Sequence, residues 1–196
     1  MKKISLAVLL LATIGFTANV RAQDKMKMDN GKMGGEKTVE VGGAPMYPSK
    51  NIVENAVNSK DHTTLVAAVK AAGLVETLEG KGPFTVFAPT NEAFDKLPAG
   101  TVSNLLKPEN KATLTTVLTY HVVPGKIDSK ELMKWIKKGN GTAELTTVEG
   151  GKLWIMQNAN GLWVKDEKGN TAKITIKDVY QSNGVIHVID TVLMPK

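Results

Sequence analysis

The 196-residue sequence contains no cysteine, three histidines and few aromatic residues, which make up 5% of the chain. The missing cysteine excludes disulfides, a thiol nucleophile and a lipid-bearing cysteine at an export signal, so stability has to come from packing alone. Three histidines at 62, 121 and 187 are too scattered for a zinc site. Such a site needs three or four ligands at characteristic spacing, for example two His at i and i+4 on one helix. No Gly-x-Ser-x-Gly elbow is present, and no nucleophile–base or acid–base set can be assembled, so an enzyme is not expected.

The formal net charge of +6 comes partly from one end of the chain. Residues 1–22 hold Lys2, Lys3 and Arg21 and no acid, and they read as a signal peptide: a basic start, an apolar run from Ile4 to about Val20, and small residues around Val20-Arg21-Ala22. The alternative, an uncleaved anchor, requires Thr13, Gly15, Thr17 and Asn19 to be tolerated inside a span. Cleavage leaves a mature chain starting at Gln23, with 174 residues, 22 basic and 19 acidic groups and a net charge of +3. Its lysines are scattered, with few aromatics among them, which argues against a nucleic-acid surface. Export, two leading lysines and absent disulfides fit a bacterial periplasmic or secreted protein.

Residues 23–47 show no apolar periodicity and are rich in Gly, Lys and Met, which predicts a flexible tether. The folded domain is then expected over 48–196. Its first half reads as helices. Asn51 with Glu54 forms a capping box, Asp61 caps a helix that Gly73 ends, and Asp128 or Ser129 caps ELMKWIKK, with lysines in its last turn. PFTVFAP reads as a strand. From Thr142 the period changes to that of short strands, broken by Gly150-Gly151, Asn160-Gly161, Gly169-Asn170 and Asn183-Gly184. Helices first and a strand meander second predict an α+β domain with an antiparallel sheet.

His121 continues the apolar stripe of Leu114, Val117 and Leu118 if the helix persists, and flanks Val122 and Val123 if the next strand has begun. Both place it inside, as a neutral imidazole donating at one nitrogen and accepting at the other. His187 lies in GVIHVID, apolar on both faces, and is expected in a central strand. His62, in the first turn of a helix, is expected to be exposed. A softer possibility is Cu(I) held by the thioethers of Met26, Met28 and Met33, with Met46 following. Trp154 and Trp163 lie in neighbouring strands. Inward they are core, the reading favoured by residue type; outward they can stack on a sugar or a partner.

GPFTVFAPTNEAFDKLP, LLKPENKATLTTVLTYHVVPGKI and NGVIHVIDTVLMP together resemble the signature regions of the fasciclin-like domain family, in its order and spacing. The resemblance covers the chain from about Pro48 to the C-terminus. It implies a wedge-shaped β-sandwich of two sheets with several helices packed around it. It also implies a strand over Phe84–Asn91 that leads through Thr90 and Asn91 into a helix, a packing role for Tyr120 and His121, and a central strand carrying His187 and Asp190. In animal relatives the Tyr-His pair is associated with integrin-dependent adhesion, which is not carried over, because Thr119 and Val122 are ordinary packing residues and no Arg-Gly-Asp occurs. The resemblance is to small, single-domain, secreted bacterial members. It implies an exported, non-enzymatic binding module, without a cofactor, that contacts a cell-surface protein, matrix or polysaccharide. The alternative is a periplasmic Cu(I)-handling protein that uses the Met-rich tether.

Overall fold

The computed structural model describes residues 36–196, which form one folded unit from Glu36 to Lys196. The segment read as a signal peptide, and Met26, Met28 and Met33, lie outside the described residues. Among the described residues no helix is long and apolar enough to cross a membrane.

The unit starts earlier than the tether reading placed it. Strands β1 (Val39–Val41) and β2 (Ala44–Met46) pair antiparallel across Gly42-Gly43, both at positive φ of 60° and 74°. This is the turn chemistry that favours a tight hairpin. Val41, Ala44 and Met46 are buried while Glu40 and Pro45 face out, so the hairpin is core and Met46 is not a tether thioether. Gly42 also ties the hairpin to the helical half of the unit, because Lys60 N–H donates to its carbonyl at 3.1 Å.

Helix α1 (Ile52–Ala56) carries the full capping box, Glu54 N–H to Asn51 Oδ1 at 2.9 Å and Asn51 N–H to Glu54 Oε2 at 2.7 Å. Helix α2 (Thr63–Ala72) ends at Gly73 in the left-handed conformation. Asp61 does not cap it; Lys60–His62 forms a 3₁₀ turn, and the start of α2 is capped by a side chain from elsewhere in the chain. Helices α3 (Val75–Glu79), α4 (Asn91–Asp95), α5 (Thr101–Leu105) and α6 (Lys111–Tyr120) come next, with strand β3 (Phe84–Pro89) between α3 and α4. Strand β4 (Val122–Pro124) leads to α7 (Ser129–Lys138), whose cap is Asp128, accepting from Glu131 N–H at 2.9 Å.

Strands β5 (Thr142–Thr146), β6 (Lys152–Asn158), β7 (Gly161–Lys165), β8 (Thr171–Gln181) and β9 (Gly184–Ile189) complete a seven-stranded ladder in the order β4-β3-β9-β8-β7-β6-β5. The meander β5 to β9 is antiparallel, but β9 pairs with β3 in parallel, so the sheet is mixed rather than antiparallel throughout. The reason is burial. Every residue of β9 is buried, and only another strand apolar on both faces, Phe84–Pro89, can flank it on the side away from β8. Long β8 pairs with β7 near its start and with β9 over the rest, with register shifts around Ile176. Bulges of this kind bend a strand, and here they join the β4-β3-β9-β8 and β8-β7-β6-β5 halves.

Two apolar clusters result. One fills the space between the hairpin, the helices and the Val86/Ala88/Ile186/Val188 face of β3 and β9. The other lies between the two half-sheets and α7, around Phe87, Tyr120, Leu132, Ile155, Val164 and Leu193. The hairpin's part in the first cluster is testable. A Cβ on Gly42 would collide with Ser59 Oγ and approach Asp61 N to 2.7 Å, whereas a Cβ on Gly43 meets nothing within 4 Å. Gly42→Ala is expected to cost about 2 kcal/mol or more, and Gly43→Ala only about 1 kcal/mol from its φ. Equal denaturation midpoints for the two variants would show that the hairpin is not docked against the 3₁₀ turn.

Candidate functional site

Helix α6 runs into β4 through Tyr120 and His121, and both side chains are buried. His121 Nδ1–H donates to the Val117 carbonyl at 2.8 Å, one of the last-turn acceptors a helix leaves without partners. Its Nε2 accepts from Leu193 N–H at 3.0 Å, which fixes the tautomer with the proton on Nδ1. Burial pushes the imidazole pKa down to about 4, against smaller opposing effects from the Val117 carbonyl and Asp166. The ring is therefore neutral at pH 7 and has no free nitrogen for catalysis or for a metal.

Tyr120 Oη donates to the Lys152 carbonyl at 2.7 Å and accepts from Glu167 N–H at 3.0 Å. Burial raises its pKa to about 12, with help from the charges of Glu167, Asp166 and Glu149. The ring lies against Gly151, where an added Cβ would approach Cε2 to 2.6 Å, so that turn accepts only glycine beside the tyrosine.

Asp166, directly after β7, is 1% exposed. Its Oδ1 accepts from Asn170 N–H at 2.8 Å, and its Oδ2 accepts from Asn170 Nδ2 and Met194 N–H, each at 2.9 Å. His121 and Asp166 thus hold consecutive backbone amides, of Leu193 and Met194, beyond the last strand. Sequence reasoning missed Asp166; its only signal is an Asp four residues before Asn170 in a hairpin turn.

His187 Nε2–H donates to the Ile127 carbonyl at 3.0 Å, Nδ1 accepts from Asp178 N–H at 3.3 Å, and the ring stacks on Phe87 at 5.8 Å. Burial lowers its pKa as well. Asp178, at a positive φ of 59° in the β8 irregularity, accepts from both Ser129 N–H and Ser129 Oγ–H. Asp190 Oδ1 accepts from Lys173 N–H at 2.8 Å and from Thr191 Oγ1–H at 3.1 Å. Thr90 caps α4, accepting from Ala93 N–H at 3.3 Å. Asn91 is the remote cap of α2: Oδ1 accepts from Thr64 N–H at 3.0 Å, while Nδ2 donates to the Lys60 carbonyl at 2.8 Å. The motif residues are therefore not gathered into one cleft. Each ties a separate loop or helix end to the frame.

Trp154 and Trp163 are not core. Both stand half-exposed on the outer face of β6 and β7, while Leu153, Ile155, Leu162 and Val164 point inward. Met156 lies opposite Trp163 in the ladder, and Trp154 lies opposite Lys165 and Glu144. The two indoles are diagonal neighbours, about 7–8 Å apart at the backbone. Their N–H groups donate to Glu144 Oε2 at 3.2 Å and to Asn158 Oδ1 at 3.0 Å. A hollow of about 410 Å³ opens on each side of Met156, one bounded by Trp154, Lys165 and Glu167, the other by Trp163, Asn158 and Thr171. Among the described residues no group of three or more His, Asp or Glu side chains is placed to hold a metal.

The fasciclin domain profile matches residues 60–195. Protein sll1483 of Synechocystis sp. is 48% identical over 162 residues, covering 82% of each chain. The cell surface glycolipoprotein MPB83 of Mycobacterium bovis is 37% identical over 145 residues, 71% of this chain and 58% of that protein. Among solved structures, a FAS1 domain pair from the insect cell adhesion molecule Fasciclin I aligns with a TM-score of 0.51 and 20% identity, over 66% of this chain and 43% of that one. That likeness concerns the fold.

The buried histidines link stability to pH. The folded pKa of His121 lies below the ordinary 6.5, so between about pH 6.5 and 4 the unfolded chain binds the extra proton and stability falls with pH. The loss from His121 alone is on the order of 3 kcal/mol, and His187 adds in the same direction. Urea midpoints measured from pH 7.5 to 5 are expected to fall below pH 6.5; a flat profile contradicts the buried neutral ring. His121→Ala, leaving the Leu193 amide and Val117 carbonyl without partners, is expected to cost about 3 kcal/mol or more.

Proposed function

The chain belongs to the fasciclin domain family, and on that footing we propose that it is an exported, non-enzymatic binding module. It makes adhesive contact with a cell-surface or matrix polysaccharide through the outer face of β6 and β7. The observation that carries this reading is the outward placement of Trp154, Met156 and Trp163 on strands whose other face supplies core. A flat indole offers an apolar plane for the C–H face of a sugar while its N–H stays bonded. Glu144, Lys165, Gln157 and Asn158 surround the indoles with hydroxyl-binding groups. The indoles stand on neighbouring strands with a hollow beside each, which suits a chain of sugars better than a single ring.

The non-enzymatic part rests on the motif residues. Tyr120, His121 and His187 are engaged with backbone groups, which both imidazoles contact at each ring nitrogen. The name of one relative supports a surface role: a cell surface glycolipoprotein. The copper alternative keeps only Met26, Met28 and Met33, since Met46 is buried under α1.

Binding of the fluorescently labelled protein to cells of its own source, before and after enzymatic removal of surface glycan, tests the proposal. Saturable binding lost with the glycan is expected. Trp154→Ala and Trp163→Ala should each weaken it roughly 30-fold, the loss of one aromatic anchor of about 2 kcal/mol, with little change in melting temperature. Binding equal to that of an unrelated basic protein, or undiminished in the double variant, removes this face as the contact surface.

A further inference from the structure

A second site lies in the helical half of the molecule, away from the tryptophan face. Between α1, α2, α3 and α6 and the inner face of β3 and β9 is a partly enclosed cavity of about 80 Å³. By that measure one water needs roughly 10–15 Å³, so the space is several waters in size. Its walls are aliphatic, with Val69, Leu78, Val86 and Ile186 among them, and they offer water almost no partners. An apolar cavity of this kind stays dry and takes up hydrocarbon instead.

One polar group breaks the pattern. His62, expected to be exposed, is 3% exposed and lines the cavity, because the 3₁₀ turn ahead of α2 rotates its ring inward. Nδ1 pairs with Ser59 Oγ at 2.9 Å. Among the described residues, Nε2 is the one buried side-chain nitrogen or oxygen without a hydrogen-bond partner. The Ala88 carbonyl lies near enough to favour a proton on the ring, but burial outweighs it and keeps the imidazole neutral. The other polar side chains at the cavity are satisfied or wet: His121 bonds at both nitrogens, Thr119 Oγ1 donates to the Thr115 carbonyl, and Lys70 and Thr77 are exposed. A buried unpaired donor or acceptor is destabilising, so a ligand that supplies the missing partner recovers that energy.

We propose that this cavity is a binding site for a single short aliphatic chain ending in a hydroxyl or carboxyl oxygen, which hydrogen-bonds to His62 Nε2. A hydroxyl suits either tautomer, since it both donates and accepts. Hydrocarbon in the cavity supplies affinity, and the His62 contact selects an oxygen-bearing end over a plain alkane.

An NMR titration of the intact, delipidated protein with short chains provides the test. 1-Butanol and butanoic acid should bind with 1:1 stoichiometry, about tenfold or more better than pentane. Ala56 lines the cavity and is half-buried, so a larger side chain there would occupy the space. Ala56→Phe should abolish binding at an unchanged melting temperature, whereas His62→Phe should keep hydrocarbon binding and lose the preference for the alcohol. If His62→Phe does not fold, the ¹⁵N resonance of His62 Nε2 in the unaltered protein replaces it, shifting with 1-butanol and not with pentane. Trp154→Ala should bind like the unaltered protein, which keeps this test separate from the glycan one. Absent or non-saturable binding, full binding by Ala56→Phe, or equal affinity for 1-butanol and pentane would overturn the proposal. Sedimentation with phosphatidylglycerol vesicles that Ala56→Phe abolishes would overturn it too, by making the occupant a bilayer lipid rather than a free chain.

Discussion

A polar group removed from water must find a partner or destabilise the fold, and this domain is arranged around that requirement. Its central strands β3 and β9 are buried on both faces, so no polar residue near them can turn to solvent. Apart from His62, which pairs with Ser59 Oγ, those present are spent on backbone. Tyr120, His121, Asp166 and His187 receive or donate hydrogen bonds at the Lys152, Glu167, Leu193, Met194, Ile127 and Asp178 main chain. Asn183 does the same, accepting from Ile52 N–H and donating to the Leu78 and Gly80 carbonyls. Each replaces a hydrogen bond that irregular backbone cannot obtain from a helix or sheet. A conspicuous Tyr-His pair can therefore be wholly structural.

The same requirement explains how the two half-sheets stay joined. The bend in β8 leaves Asp178 N–H outside the regular ladder, and His187 Nδ1 accepts it. The Asp178 carboxylate then reaches Ser129 at the start of α7. Helix α7 packs against β5 and β6, so its position depends on the irregularity that bends β8. The C-terminal residues after β9 have no strand to pair with, and His121 and Asp166 supply partners instead.

Local features are legible in the sequence where a few consecutive residues decide the outcome. Asn51 with Glu54 and the Gly73 stop are chemistry within one turn of helix, and they form as the spacing implies. Features that depend on distant partners are not legible in this way. β3 and β9 are far apart along the chain, and hydropathy marks each as doubly buried without stating that they run parallel. The hairpin before Pro48 leaves no trace in the pattern because strands of three residues are too short to show a period. His62 is inside rather than outside because a 3₁₀ turn, not an Asp61 cap, precedes α2, and the helix receives its cap from Asn91.

The tryptophans show why burial could not be read from β6 alone. In KLWIMQN both alternating phases are apolar, Leu153 and Ile155 on one and Trp154 and Met156 on the other, so period 2 identifies two faces without ranking them. The neighbouring strand breaks the tie. In TAELT only Ala143 and Leu145 are apolar, and the register places them beside Ile155 and Leu153. Glu144 is thereby set beside Trp154, and a carboxylate on that face forces the whole phase into solvent. The strand that exposes the indoles is the one that gives Trp154 its hydrogen-bond acceptor. The outward aromatic strip is thus a consequence of sheet register, available for recognition without weakening the core behind it.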